Sequence, residues 1–198
     1  MRGKRVLDYG CGHGMASVIL ARRGATVIAF DLSLGYLHEV QRRAEANDVT
    51  IMTVQADGER LPFANNTFDG LWGNAVLHHL DIDKAGHEIA RVLKPDGIAV
   101  FCEPWGGNPL LNWARQKLQY CGKERTPDET PLRQVDVTRL RQIFPHVGLR
   151  GHQLLSMVSR VIHAHGVVQF LRGCDRVVLK TMPFLQRFCR YMVITLKG

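Results

Sequence analysis

The segment Val6-Leu7-Asp8-Tyr9-Gly10-Cys11-Gly12-His13-Gly14 sets three alternating glycines directly after a short apolar run. Glycine has no Cβ and reaches positive φ without strain, so a loop of this kind brings main-chain N–H groups close to a ligand. Gly-x-Gly-x-Gly alone is a weak signal, because dinucleotide-binding folds use similar glycines to cradle a pyrophosphate. Asp8, two residues before Gly10, changes the chemistry. A carboxylate there repels a pyrophosphate and favours a ligand with a cationic amino group and a sulfonium, as in S-adenosylmethionine. Asp31, at the end of the next apolar run, can accept hydrogen bonds from both hydroxyls of a ribose. That supports a nucleoside without naming the cofactor. Further on, Asp57-Gly58-Glu59-Arg60-Leu61-Pro62-Phe63 supplies a carboxylate that could accept from an adenine amino group.

These residues fall at the ends of predicted strands. Arg5–Tyr9 reads as a strand and Met15–Arg23 as a helix. Thr26–Phe30 is β-branched and apolar and ends at Asp31, and Ser33 can N-cap a helix to about Asn47 with Leu37, Val40 and Ala44 on one face. Val49–Val54, Phe68–Gly73 and Ile98–Glu103 read as further strands, the last after a Lys94-Pro95-Asp96-Gly97 turn, with a helix over Lys84–Leu93. Strands alternating with helices predict an α/β fold: a doubly wound, mostly parallel, seven-stranded Rossmann-like sheet with helices on both faces. Beyond Glu103 a helix is expected over Leu110–Leu118, then a polar surface excursion from Gly122 to Pro131. Val137–Phe144 reads as a helix, Leu149–Met157 as the sixth strand, Val158–Leu171 and Arg176–Phe188 as helices, and Tyr191–Leu196 as a closing, antiparallel strand.

At 198 residues the chain fits one domain, 1–198, with a cofactor-binding half over 1–103 and a substrate-side half over 104–198. The composition, 45% hydrophobic and 22% charged, is that of a globular protein. No long apolar run or signal-peptide core is present, which predicts a cytoplasmic location. Five scattered cysteines with no Cys-x-x-Cys pair argue against a disulfide framework and a structural zinc site. His152, His163 and His165 lack a cysteine or carboxylate at ligand spacing, so no metal is expected. The net charge of +8 is unevenly placed. Residues 1–100 carry 11 Lys/Arg against 12 Asp/Glu, and residues 101–198 carry 15 against 6, a net of +9. That asymmetry points to an anionic partner or to a solvated basic surface.

Taken in order, Val6-Leu7-Asp8-x-Gly-Cys-Gly-x-Gly14, Phe30-Asp31-Leu32-Ser33, Asp57-Gly-Glu-Arg-Leu-Pro-Phe63, Phe68-Asp-Gly-x-x-x-Asn74-Ala-Val-Leu-His78-His79-Leu80 and Leu93-Lys-Pro-Asp-Gly97 resemble the class I S-adenosylmethionine-dependent methyltransferases. The nearest general group is the ubiquinone/menaquinone-type, "type 11" small-molecule enzymes. The resemblance covers roughly residues 4–103. It implies that Asp8, Gly10, Cys11, Gly12 and Gly14 form the loop on the methionine side of S-adenosylmethionine, that Asp31 with Leu32 meets the ribose, that Asp57 and the Gly58 main chain meet the adenine, and that Asn74 lies on the cofactor side of the path to the acceptor. Members of the family usually carry a helical lid before the first strand. Only the few residues from Met1 precede it here, so the lid is expected to be missing.

Methyl transfer from a sulfonium needs alignment of nucleophile, carbon and sulfur and exclusion of water. An oxygen or carbon nucleophile also gains from a base, and His79, His78 and Glu103 are the candidates, His79 first, with His13 nearby. A His-His pair opening a helix can equally be a cap or a packing pair. Trp105 is the aromatic named as a pocket wall, and Tyr9, Trp72 and Trp113 could also sandwich a ring or simply pack. The region Ser159–Phe188 mixes apolar residues with Arg172, Arg176, Lys180 and Arg187, the composition of a helix on an anionic membrane or of ordinary amphipathic packing. The leading expectation is methyl transfer to oxygen or carbon of a small lipophilic, glycan or secondary-metabolite acceptor. An RNA methyltransferase is the alternative, disfavoured as nucleic acid binding is by the lack of an RNA-binding module or an Asn-Pro-Pro-Tyr motif. A non-catalytic cofactor-binding module or inactive fragment is the alternative of another class.

Overall fold

The computed structural model describes residues 1–117, 130–160 and 164–198. In chain order the elements are β1 (Arg5–Tyr9), α1 (Met15–Arg22), β2 (Thr26–Asp31), α2 (Leu34–Glu45), β3 (Ile51–Gln55), β4 (Phe68–Asn74), α3 (Ile82–Val92), β5 (Leu93–Pro104), α4 (Pro109–Lys117), α5 (Gln134–Ile143), β6 (His146–His152), α6 (His165–Thr181) and β7 (Tyr191–Lys197). Short 3-10 turns cover Leu77–His79, Ser156–Arg160 and Pro183–Phe188. Seven strands form one sheet in the order β3-β2-β1-β4-β5-β7-β6. β1 to β5 run parallel to one another, and β7 runs antiparallel to both β5 and β6. The predicted doubly wound sheet with an antiparallel last strand is therefore the fold.

Alternation along the central strands explains the two covered faces. Leu7 and Tyr9 of β1, with Ile28 and Phe30 of β2, join one apolar cluster with Ile82, Ile89 and Val92 of α3 and Val137 and Leu140 of α5. Val6, Asp8, Val27 and Ala29 are buried on the other face, where α1 and α2 pack and Ser17 of α1 bonds Asp8. Successive strand side chains point to opposite faces, so a strand buried on both reads as a continuous apolar run.

Several boundaries differ from those read in the sequence. α3 begins at Ile82 rather than Lys84, because Asp81 caps it by accepting from Asp83 N at 3.0 Å and Lys84 N at 3.2 Å. Ser33 occupies the N-cap of α2 without a side-chain capping bond. The Lys94–Gly97 segment does loop out, but inside a longer strand: Leu93 still pairs with Phe68 before pairing resumes at Gly70 and Ile98. The excursion is tied down by Lys94 Nζ, 3.0 Å from Asp69 Oδ1. β6 covers His146–His152 rather than Leu149–Met157, since its partner β7 fixes the register from Lys197 back to Tyr191. α6 runs through Gly173 without the expected break. Most of the polar 122–131 stretch, Cys121 and His163 lie outside the described residues.

The strand order reverses between β1 and β4, and in open α/β sheets the crevice at the carboxyl ends of the strands flanking such a reversal is where ligands bind. The carboxyl ends of β1, β2 and β4 are Tyr9, Asp31 and Asn74.

Candidate active site

The glycine loop leaves β1 in the left-handed region at three points, Gly10 (φ 64°), Gly12 (φ 47°) and Gly14 (φ 73°). The three glycines are needed for different reasons. A Cβ on Gly10 would lie 2.5 Å from Val76 Cγ2, and one on Gly14 would lie 2.7 Å from Val40 Cγ2, so both permit close packing of the loop against the protein. A Cβ on Gly12 would meet nothing within 4 Å. Gly12 thus presents bare backbone to open space, as a loop that receives a ligand must. Gly14 then occupies the N-cap position of α1.

Asp31 ties this loop to β2. Its Oδ2 accepts from Gly12 N and its Oδ1 from Ser33 N, both at 3.0 Å. Each carboxylate oxygen keeps a second lone-pair direction, so Asp31 can still receive ribose hydroxyls. Leu32, next in sequence, is 72% exposed at the strand end, an apolar edge available to a nucleoside. Cys11 N donates to Phe30 O at 2.9 Å, and burial pushes the Cys11 thiol well above its ordinary range. Cys11 therefore contributes main chain and a neutral side chain rather than a nucleophile.

Asp8 is 2% exposed and accepts from the Ser17 hydroxyl. Burial pushes its carboxyl up to about 6, against the lowering effect of the Ser17 bonds. Its negative charge thus sits behind the loop, on the α1 face of the sheet. Asp57 is exposed, with Oδ1 accepting from Glu59 N at 2.9 Å. Gly58 is buried, its carbonyl receiving the Tyr9 hydroxyl at 2.7 Å. Tyr9 is no stacking surface for a ligand: it is fully buried and meets Phe30 and Phe101 edge-on, at centroid distances of 4.7 and 5.5 Å.

The loop bearing Asp57 is also held from below by groups whose role the sequence reading missed. Glu88 of α3 accepts from Leu61 N at 2.7 Å, and Arg91 donates to the carbonyls of Leu61 and Phe63 at 3.0 and 2.6 Å. Glu59 closes the other end by accepting from Asp81 N at 2.8 Å. The one advance sign was the Glu88/Arg91 spacing of three, a helix pair whose reach to a distant loop is invisible without the fold.

At the end of β4, Asn74 is exposed and pairs in register with Cys102. The chain then turns through Ala75 (φ 55°) into the Leu77–His79 turn, and Glu103 organises that turn. Glu103 is fully buried; Oε1 accepts from Val76 N and Leu77 N at 2.9 and 3.0 Å, and Oε2 lies 2.8 Å from His78 Nδ1. With Glu103 as a carboxylate, which only accepts, His78 Nδ1 is the donor of this contact. The His79 ring is exposed and lies against that of His78 at a centroid distance of 4.1 Å. Trp105 does not line an open wall: it is 2% exposed, with its indole N–H 3.0 Å from Arg187 O. Among the described residues, no group of His, Cys, Asp and Glu could hold a metal ion, and no helix is long and apolar enough to cross a membrane.

The fit to a nucleoside sulfonium rests on the open backbone at Gly12 and on Asp31, Leu32, Asp57 and Asn74, which lie at the carboxyl ends of β1 to β4 or on the loops that follow them. Comparison with known proteins agrees. The "Methyltransferase domain" family model matches residues 7–101. A demethylmenaquinone methyltransferase from Clavibacter sepedonicus is 42% identical over 102 residues, which cover 51% of this chain and 41% of the relative. A phthiotriol/phenolphthiotriol dimycocerosates methyltransferase from Mycobacterium ulcerans is 30% identical over 181 residues, covering 90% of this chain and 61% of the relative. The chain thus spans less than two thirds of the length of either. A SAM-dependent methyltransferase from Aquifex aeolicus shares the fold with a TM-score of 0.56 at 20% identity, over 77% of this chain and 75% of that one. Residues 7–101, just under half of the chain, are thus similar to the methyltransferase-domain family.

Proposed function

We propose that the chain binds S-adenosylmethionine at the carboxyl ends of β1, β2 and β4 and transfers its methyl group to an oxygen or carbon of a small, lipophilic acceptor. The observation that carries this reading is the Asp31 carboxylate, which joins Gly12 N and Ser33 N and so couples the open glycine loop to a ribose acceptor. When bound, the cofactor supplies an already activated methyl group, so the protein's task is alignment and exclusion of water. The glycine loop and α1 N-terminus hold the methionine end; Asp31 and Leu32 hold the ribose; Asp57 and the Gly58 main chain meet the adenine. Asn74 borders the path to the acceptor. His79, exposed at the end of the Leu77–His79 turn, takes the acceptor's proton. His78 and Glu103 act through it, as positioning residues that fix the turn.

A lipophilic acceptor is favoured by the two relatives, named for a demethylmenaquinone and for phthiotriol dimycocerosates. Calorimetric titration with S-adenosylmethionine, S-adenosylhomocysteine and NAD tests the cofactor. Binding of the first two that is lost in Asp31→Ala is expected, and preferential binding of NAD overturns the reading. Labelled methyl transfer to a panel of lipophilic phenols and quinols, with RNA as the contrast, tests the acceptor class. Incorporation into RNA alone overturns it.

A further inference from the structure

α6 is held differently from the other helices. Its single buried residue among those described is Asp175, whose carboxylate accepts from the main-chain N–H groups of Leu154, Leu155 and Ser156 and from the Ser156 hydroxyl, at 2.6 to 3.2 Å. Between this helix and β6 lies a cavity of about 790 Å³, within the size range of small-molecule sites. The C-terminal half of β6 lines it, in register through Tyr191 with Pro104 at the carboxyl end of β5.

The wall of this cavity is cationic. Arg172, Arg176 and Lys180 project from successive turns of α6, and Arg150 and His152 face them from β6. None of Arg150, Arg172, Arg176 and Lys180 has a hydrogen-bond or ion-pair partner among the described residues. Asp175, the one acidic side chain in the lining, has its oxygens taken up by the four hydrogen bonds above. Like charges spaced by four on a helix destabilise it, so three in a row are a cost that a bound anion would reverse. A cleft lined by one sign of charge also focuses the field on its contents.

We propose that the α6–β6 cavity is a binding site for a phosphate-bearing ligand, with the guanidinium groups of Arg150, Arg172 and Arg176 and the Lys180 ammonium gripping the phosphoryl oxygens. Guanidinium groups bind phosphate through paired N–H bonds, and ammonium groups act as point charges. The ligand is a soluble phosphorylated molecule or a phospholipid headgroup. Phe170 and Phe184, 70% and 60% exposed in the same segment, are the reason to include the lipid. The inference does not depend on methyl transfer.

The test compares the unmodified chain, the triple variant Arg172→Gln/Arg176→Gln/Lys180→Gln, and a charge-matched control, Arg22→Gln/Arg23→Gln/Arg60→Gln. One arm is calorimetric titration with inorganic pyrophosphate. The other is co-sedimentation with phosphatidylcholine vesicles with and without phosphatidylglycerol, at physiological ionic strength. Circular dichroism confirms that each variant is folded. The unmodified chain is expected to bind in at least one arm; pyrophosphate alone assigns a soluble ligand, and anionic vesicles assign the headgroup. Since each basic side chain at an anionic surface contributes roughly fivefold, the triple variant should lose on the order of a hundredfold in affinity, and the control should not. Binding in neither arm, or equal loss in variant and control, overturns the proposal. If the triple variant fails to fold, Arg150→Gln alone on β6 must lose roughly fivefold for the proposal to stand.

Discussion

His78 Nδ1 lies 2.8 Å from Glu103 Oε2, and the same carboxylate receives two main-chain N–H groups of the turn that ends at His79. A buried carboxylate thus builds the strand-to-turn corner beside an exposed imidazole. The buried carboxylate and the exposed imidazole of His79 should respond differently to substitution. Glu103→Gln keeps one oxygen for Val76 N and Leu77 N but sets an NH2 donor against His78 Nδ1, and is expected to destabilise the fold by about 1–3 kcal/mol. His79→Ala should leave stability within about 0.5 kcal/mol and slow methyl transfer by roughly 10²–10⁴. Urea denaturation beside turnover separates them, and an unstable His79→Ala variant would place that residue in the scaffold.

Asp31→Asn keeps the shape but weakens acceptance from Gly12 N, Ser33 N and the ribose. Hydrogen bonds to a charged group contribute about 1.5–3 kcal/mol, so S-adenosylhomocysteine affinity should fall roughly ten- to a hundredfold. Affinity within a factor of two of the unmodified chain would remove Asp31 from the cofactor site.

The glycines give a graded prediction. Gly10→Ala drives a methyl to 2.5 Å from Val76 Cγ2 and should prevent stable folding or shift the loop. Gly12→Ala meets no protein atom and costs only the left-handed backbone, about 1–2 kcal/mol, so it should fold. It should nevertheless lose cofactor binding, because the added methyl occupies the space the ligand needs. Thermal melts with and without S-adenosylhomocysteine read both effects, and a Gly12→Ala melt still raised by the ligand would contradict this placement.

Burial holds the Asp8 carboxyl up at about 6 against an ordinary 3.8, so the folded chain binds its proton more tightly than the unfolded chain. Below the ordinary value both states are protonated. As pH rises from there to about 6, the unfolded state releases the proton first, and stability should fall by about 3 kcal/mol across the window and then level off. Asp8→Asn should abolish that slope and be the more stable protein near pH ~7.5, while losing affinity for the cationic end of the cofactor. Chemical denaturation of both proteins at pH ~4 and ~7.5 checks the sign.

The glycine spacing, the acidic residues at two strand ends and the alternation of β-branched with helical runs were legible because they are local. Each depends on period two or 3.6, on residues lacking a Cβ, or on a carboxylate placed at the close of an apolar run. The strand segments and Asp31 could be read from sequence for that reason. Other features needed partners far along the chain. That Tyr9 packs under the Gly58 carbonyl, that Glu103 is buried beneath the His78 turn, and that Glu88 and Arg91 hold the Asp57 loop all follow from sheet order and register. Burial likewise decided that Trp105 is core and that Asp8 lies behind the loop. A side chain's exposure depends on which elements are laid against it. Sequence pattern therefore determined which residues reach the carboxyl edge of the sheet, and tertiary packing decided which of them remain open to a ligand.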